Sequence, residues 1–410
     1  MEQWITYKLG KIAECSLGKM LDQRKNKGKP QMYLGNIAVR WGSFNINPSQ
    51  TMLFEDHELT KYKLEINDIV ICEGGEPGRC AMWKSKDTIY IQKALHRVRV
   101  NRNIADPFYV YYYITYLVKS HLLDSYFTGT TIKHLPREQL LSIDIKIPNL
   151  ATQKKIGNIL ENIDSKIDLN RRINDNLEQQ AQALFKSWFV DFEPFNGEKP
   201  SNWSYCKIKN LHHIIETGKR PKGGVAHIKQ GIPSIGAESI KGIGYYDYSK
   251  TKYISNEFAS SLKKGKIHDY DLLIYKDGGK PGYFIPNFSI MGEGFPFDTM
   301  YLNEHVFRLD LGSSGMNIFA YFYFQTDEII NMLESVGGKA AIPGINQQNI
   351  EDLEILSPDI DYVQRYGELV YPIFKSILQN CRENAKLEKI RDALLPRLMS
   401  GELKIYDLNC

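Results

Sequence analysis

The sequence predicts an α+β fold: two repeated mixed α/β globular domains separated by two long antiparallel helices with pseudo-two-fold symmetry. Three observations predict it: an internal duplication, short β-like runs within each copy, and a long heptad-patterned helix after each copy. The duplication is clearest where TTIKHLPREQLLSIDIKIP (130–148) is set over AAIPGINQQNIEDLEILSP (340–358). Ile132 falls on Ile342, Leu140 on Ile350, Ile145 on Ile355 and Pro148 on Pro358, a constant displacement of 210 residues. The match runs on without a gap through Gly157/Gly367, Ile163/Ile373, Asn170/Asn380 and Leu177/Leu387. Upstream, with small insertions, LGK (17–19) parallels TGK (217–219), LGNI (34–37) parallels IGAE (235–238), and EGGEPGR (73–79) parallels DGGKPGY (277–283).

Each copy opens with short apolar runs bounded by Gly and Pro, which read as strands: DIVIC (68–72), TIYIQ (88–92), HRVRV (96–100), DLLIY (271–275) and HVFRL (305–309). A Tyr/Phe-rich segment of helical length follows (107–123, 318–334), and a last strand (IDIKIP, LEILSP) ends at proline. The expected boundaries are 1–150 and 193–358 for the globular domains and 151–192 and 359–410 for the helical regions.

From 152 to 189 the chain has no proline and one glycine, Gly157, with Thr152 placed to cap the helix. Heptad positions a are Ile156, Ile163, Asn170, Leu177 and Leu184; positions d are Leu160, Ile167, Asn174, Ala181 and Trp188. The second copy gives Tyr366, Ile373, Asn380, Leu387 and Leu394 at a, and Val370, Ile377, Asn384, Arg391 and Leu398 at d. Asn170, Asn174, Asn380 and Asn384 therefore occupy equivalent seam positions, where a buried amide fixes register at a cost in stability. Mutual antiparallel pairing is expected; the alternative is that each helix packs only on its own globular domain.

Composition bounds the rest. With 42% apolar and 24% charged residues the chain is globular, not disordered. A net charge of +4 proves no nucleic-acid partner, so any basic face must be local. Six scattered cysteines without a C-x-x-C pair suggest neither a disulfide framework nor a metal centre. No signal peptide is evident, and no apolar run approaches the roughly 18 residues of a membrane span. A cytoplasmic protein with no membrane partner is expected.

Two similar but diverged domains on a stiff spacer suit a long polymer read at two places. Double-stranded DNA presents successive major-groove faces roughly 34–36 Å apart. Candidate phosphate contacts lie in glycine-bordered basic loops: Lys19, Arg24, Lys25, Lys27 and Lys29 in the first copy, Lys219, Arg220 and Lys222 in the second. Candidate base readers are Arg40, Gln92, Lys133, His134, Lys276, Lys280, Asn346 and Gln347. For each residue taken singly, an ordinary solvated side chain is the alternative.

The sequence carries no complete catalytic signature among the motifs that come nearest to one. DPFY (106–109) resembles the D-P-P-Y of adenine methyltransferases but has Phe108 in place of the second proline; FTGTT (127–131) lacks the second glycine of an F-x-G-x-G loop. There is no G-x-x-x-x-G-K-[ST]. Asp144 and Lys146 form a nuclease-like D-x-K, but alternation along a strand explains it, and His96 and His305 fall at matching strand starts, as structural residues would.

Taken together, the repeat, QKKIGNILENIDSKID (153–168) after IKIP, LLPRLMSGEL (394–403), TGKRPKGG (217–224) and EGGEPGR resemble the specificity subunit of type I restriction–modification systems. The resemblance spans essentially the whole chain. It implies that 1–150 and 193–358 are target-recognition domains that read an asymmetric bipartite DNA site, and that the chain has no catalytic activity of its own. It implies docking of two modification (methyltransferase) subunits and of restriction (translocase/nuclease) subunits. S-adenosylmethionine, ATP and Mg are expected on those partners, with no cofactor and no metal on this chain. Phe185, Trp188, Phe189, Leu394, Leu395, Leu398 and Met399 become candidate contacts for the modification subunits; core packing is the equal alternative. Two other classes stay open: an enzyme with an unrecognised site, and a coiled-coil adapter whose domains bind proteins.

Overall fold

The computed structural model describes residues 4–22, 26–280, 282–338 and 343–404. The chain divides into two compact units, 1–165 with 387–410 and 166–386, so each unit takes a part of both long helices.

In the first unit a four-stranded antiparallel sheet runs in the order Ala13–Leu17, Leu95–Val100, Ile69–Cys72, Cys80–Met82. Beside it, Lys29–Leu34 pairs antiparallel with Thr51–Phe54 and parallel with Tyr90–Ile91. The terminal strand Asp144–Ile147 pairs with Ile5–Lys8. Helix Pro107–Lys119 buries Tyr109, Val110 and Tyr111 through Tyr113 against the sheet, and Asp106 caps it by accepting from the Tyr109 amide. Ile156, Leu160, Leu395, Leu398 and Met399 belong to this same core.

The second unit repeats these three sheets in the same strand order. Ile214–Thr217, Val306–Asp310, Leu272–Tyr275 and Phe288–Ile290 form the four-stranded sheet. Lys252–Ile254, Ile232–Ile235 and Tyr301–Leu302 form the three-stranded one, with the parallel pairing at the same place. Ser204–Lys207 pairs with Glu354–Ser357. The predicted helical segment 318–334 is two helices, Ser314–Tyr323 and Asp327–Gly337, because Gln325 and Thr326 turn the chain between them.

Both sheets hold an ion pair that the hydropathy pattern conceals. Arg99 donates through Nε and Nη2 to the buried Asp68 at 2.8 and 2.7 Å. At the equivalent aspartate, Asp271, the donor is the buried Arg308, which stands in register with Arg97 and not with Arg99; it donates to Asp271 at 2.7 Å and to Glu216 at 3.0 Å. Each aspartate also accepts from the backbone amide three residues before it, Glu65 and His268. Such a pair, with its lone pairs satisfied, ties two neighbouring strands to the turn between elements.

The long helices are Leu150–Phe189 and Ile360–Ser400, 40 and 41 residues, each about 60 Å at 1.5 Å per residue. The first begins two residues earlier than the sequence implies. Asn149, not Thr152, takes the cap, accepting from the Thr152 amide at 2.9 Å. Asn149 follows Pro148, which cannot itself extend a helix, so Leu150 and Ala151 are already inside.

Within the second unit the helices run antiparallel, Trp188 against Tyr362 and Tyr366, and Asn170 against Asn384. Asn170 Nδ2 donates to Asn384 Oδ1 at 2.9 Å, and Asn380 Nδ2 to Asn174 Oδ1 at 2.8 Å. Asn384 Nδ2 points at the Ile167 carbonyl, 3.5 Å, as Asn174 Nδ2 points at that of Ile377, 3.3 Å. These bonds exchange under the 210-residue displacement, so this part of the seam has a local two-fold character. Asn170 Nδ2 also donates to Glu383 at 2.7 Å, while its buried Oδ1 lacks a hydrogen-bond partner. Within the first unit, Arg391 at its d position is charge-paired with Asp164 at 2.8 Å, and Tyr112 donates to the same carboxylate at 2.7 Å.

Candidate nucleic-acid interface

In each unit, loops from the glycine motif, the turn after the parallel strand and the segment before the last short helix meet at one place. The first unit is built around Asn36, in the short turn Asn36–Ala38. Its Nδ2 donates to the carbonyls of Gly74 (2.9 Å) and Ala94 (3.3 Å). Arg79 donates back to its carbonyl and Oδ1 at 3.2 and 3.1 Å. Glu76 accepts from Arg79 at 2.8 Å and from Trp41 Nε1 at 2.7 Å. Thr128 and His134 exchange backbone bonds at 2.8 Å, and Leu135 N donates to Glu73 O at 2.7 Å. A side chain at Gly74 would sit 2.9 Å from His134 Nδ1, so the His134 ring would have to shift to admit one.

The second unit builds the same cluster with other side chains. Gly278 N donates to Pro343 O and Ile345 N to Lys276 O. His305 Nδ1 is 2.8 Å from Asp277 Oδ2. A cleft of about 210 Å³ opens beside it, lined by Lys219, Arg220, Ser234, Lys252, Asn303 and His305 among others. Arg220 lies 3.7 Å from Glu304 and is more than half exposed, so that pair contributes little to stability and leaves the guanidinium free to exchange partners. Glu238, in the turn equivalent to Asn36–Ala38, pairs with Lys252 at 2.6 Å. Burial pushes its carboxyl up, but that ammonium and the backbone outweigh it and hold the group below the usual range.

The candidate residues are distributed unevenly. Lys219, Arg220, Lys222, Lys27 and Lys29 are exposed, as are Arg40, Lys133, His134 and Lys280. Gln92 is half-buried and bridges Lys19. Arg24 and Lys25 lie outside the described residues. Lys19 corrects the sequence reading: it is 2% exposed, donates to the Leu53 carbonyl at 2.8 Å and pairs with Glu58, so it offers nothing to a phosphate. Lys276 is half-buried, its ammonium tied to the Glu304 carbonyl at 3.2 Å. Asn346 caps helix Gln347–Glu351, and Gln347 is bonded to Glu351 at 2.7 Å. Of the candidate partner contacts, Phe185 and Phe189 are buried in the second core, and Leu395, Leu398 and Met399 in the first; Trp188 and Leu394 are half-buried. Core packing accounts for the buried five.

The catalytic look-alikes have structural roles. Asp144 pairs with Lys8 at 2.8 Å, and the Lys146 ammonium lies over the Trp4 ring. His96 is buried with Nε2 2.8 Å from the Leu135 carbonyl, and burial pushes its pKa down. Sequence reasoning missed Asn36 and Arg79, which organise the loop cluster; an Asn two residues after a strand, beside the glycine motif's arginine, was the available signal.

Comparison with known proteins places this architecture. Residues 1–179 match the family model described as the type I restriction modification DNA specificity domain. The type I restriction enzyme MjaIX specificity subunit of Methanocaldococcus jannaschii is 26% identical over 329 residues, covering 72% of this chain and 70% of that protein. The HindI specificity subunit of Haemophilus influenzae is 24% identical over 330 residues, 67% and 72% of the two chains. Residues 1–179 thus carry a type I restriction modification DNA specificity domain, and the chain is similar over two thirds or more of its length to type I specificity subunits. The crystal structure of the S subunit from M. genitalium shares its fold, with a TM-score of 0.58 over 97% of this chain and 96% of that one, at 16% identity. The loop clusters described above are where the two copies of one scaffold differ in surface chemistry. Among the described residues, no helix of the subunit is long and apolar enough to cross a membrane.

Proposed function

We propose that this specificity subunit is the sequence-reading component of its complex, that it reads an asymmetric bipartite duplex, and that it performs no chemistry itself. The observation that carries the reading is the pair of loop clusters: one scaffold twice, with Arg40, Gln92, Lys133 and His134 on one and Lys219, Arg220, Lys222 and Lys280 on the other. Exposed lysine and arginine would neutralise phosphates and set each unit's position, while side chains at the loop tips would meet base edges. Different tips imply different half-sites, hence an asymmetric target. The helix pair would act as the spacer that fixes the number of unread base pairs. Modification subunits, carrying S-adenosylmethionine and methylating adenine, would dock on this frame in the cytoplasm, and restriction subunits would add ATP and Mg.

Purified chain, S-adenosylmethionine and duplex DNA should give no methyl transfer until modification subunits are added; transfer by the chain alone would overturn the non-catalytic reading. Exchanging 193–358 for another recognition domain should change one half-site in a genome-wide map of methylated adenines. Change in both halves, or in neither, would overturn the bipartite one.

A further inference from the structure

Resting on the reading of the chain as a DNA-recognition subunit, we propose that Ile37 is a specificity-determining residue that reads a thymine C5-methyl group in the half-site of the first unit. Two large apolar side chains stand out among the described residues as the most exposed: Ile37 at 74% and Ile132 at 64%. Both belong to the loop cluster of the first unit, beside the exposed Arg40, Lys133 and His134.

Ile37 is not exposed because its loop is loose. The turn that carries it is held on one flank by Asn36, with its bonds to Gly74, Ala94 and Arg79. On the other flank Ala38 and Val39 are buried in the core. Arg40 Nη1 donates to the Ile37 carbonyl itself at 2.6 Å. A rigid turn therefore projects a branched hydrocarbon into water, next to a guanidinium, with no intrachain gain. In the major groove the thymine methyl is the one apolar group that a base edge offers, and aliphatic contact is how it is read.

The second unit supplies an independent argument. LGNI and IGAE place Glu238 where the first unit has Ile37, on an equally short turn, Ala237–Ser239. The turn is retained while the residue at its centre switches from an exposed hydrocarbon to a half-buried carboxylate tied to Lys252. A packing position would resist that exchange, whereas a reading position in two units with different targets requires one. A carboxylate suits an exocyclic amine, not a methyl.

The test uses full-length chain with its modification subunits, on the target mapped by methylation. Each thymine of the first unit's half-site is replaced singly by 2′-deoxyuridine, which removes the methyl and leaves Watson–Crick pairing intact. One substitution should weaken binding about fourfold, the ratio that burying one methyl group supplies. The same substitution should have no effect on the Ile37→Ala complex. Ile37→Glu, a residue the equivalent turn already carries, should likewise lose the preference while folding normally by circular dichroism. If every thymine tolerates uracil, if Ile37→Ala keeps the fourfold effect, or if that half-site holds no thymine, the proposal is overturned while DNA recognition stands. A complex without any sequence preference would overturn both.

Discussion

Replacing Asn170 by leucine strands the Oδ1 of Asn384, a residue that is itself buried and receives the Asn170 amide at 2.9 Å. An unsatisfied buried acceptor costs about 1–3 kcal/mol. Burying a leucine side chain there returns about 1.5–3 kcal/mol, so the single variant should sit near the parent in overall stability. The informative quantity is the coupling. Introducing Asn384→Leu into the Asn170→Leu background removes the stranded acceptor, so it should stabilise by about 1–3 kcal/mol more than it does in the parent. Urea unfolding, with hydrogen–deuterium exchange of amides 166–174 and 377–386, measures both steps. The double variant should be firm yet unregistered, and methylated sites should then show more than one gap length. Additivity within about 0.5 kcal/mol, or a double variant with one sharp gap, would refute the register argument.

Lys19→Met should lose about 3 kcal/mol in chemical denaturation, because it leaves Glu58 without its buried cation; a lower salt slope of DNA binding at unchanged stability would reverse that assignment. Lys219→Ala and Arg220→Ala should each reduce that slope by about one, without altering the half-site sequence; an unchanged slope would remove the cleft from the interface. Burial holds the His96 imidazole below its ordinary value, so its share of stability is present above pH 6.5 and is lost as pH falls from there through the lowered native value. His96→Gln should flatten the acid limb of the stability profile, and an unaltered limb would show that another group titrates there. A four-residue insertion beside Asn174 adds about 6 Å to one helix; it should change the tolerated gap and leave each half-site intact, as a methylation map would show.

Much of the fold was legible because duplication is a strong signal. Equivalent runs at fixed spacing located the strands, and the heptads placed four asparagines that meet in pairs. Legibility failed where the decision belonged to tertiary contacts. Thr152 and Asn149 are both competent caps, and only the exit from Pro148 selects the second. Lys19 lies in a basic, glycine-bordered stretch, yet Glu58, thirty-nine residues away, draws it inside. Phe185, Leu395 and their neighbours look like an interface because an apolar helix face reads the same whether its own core or a partner covers it.

The twin clasps Arg99–Asp68 and Arg308–Asp271 divide labour within each recognition unit. They fasten the frame by contacts that involve no tip residue, so the rim can be rewritten while the frame keeps its shape. On the proposed reading, a lineage of such chains explores new addresses on DNA by editing a handful of surface letters, each trial starting from a body that already stands.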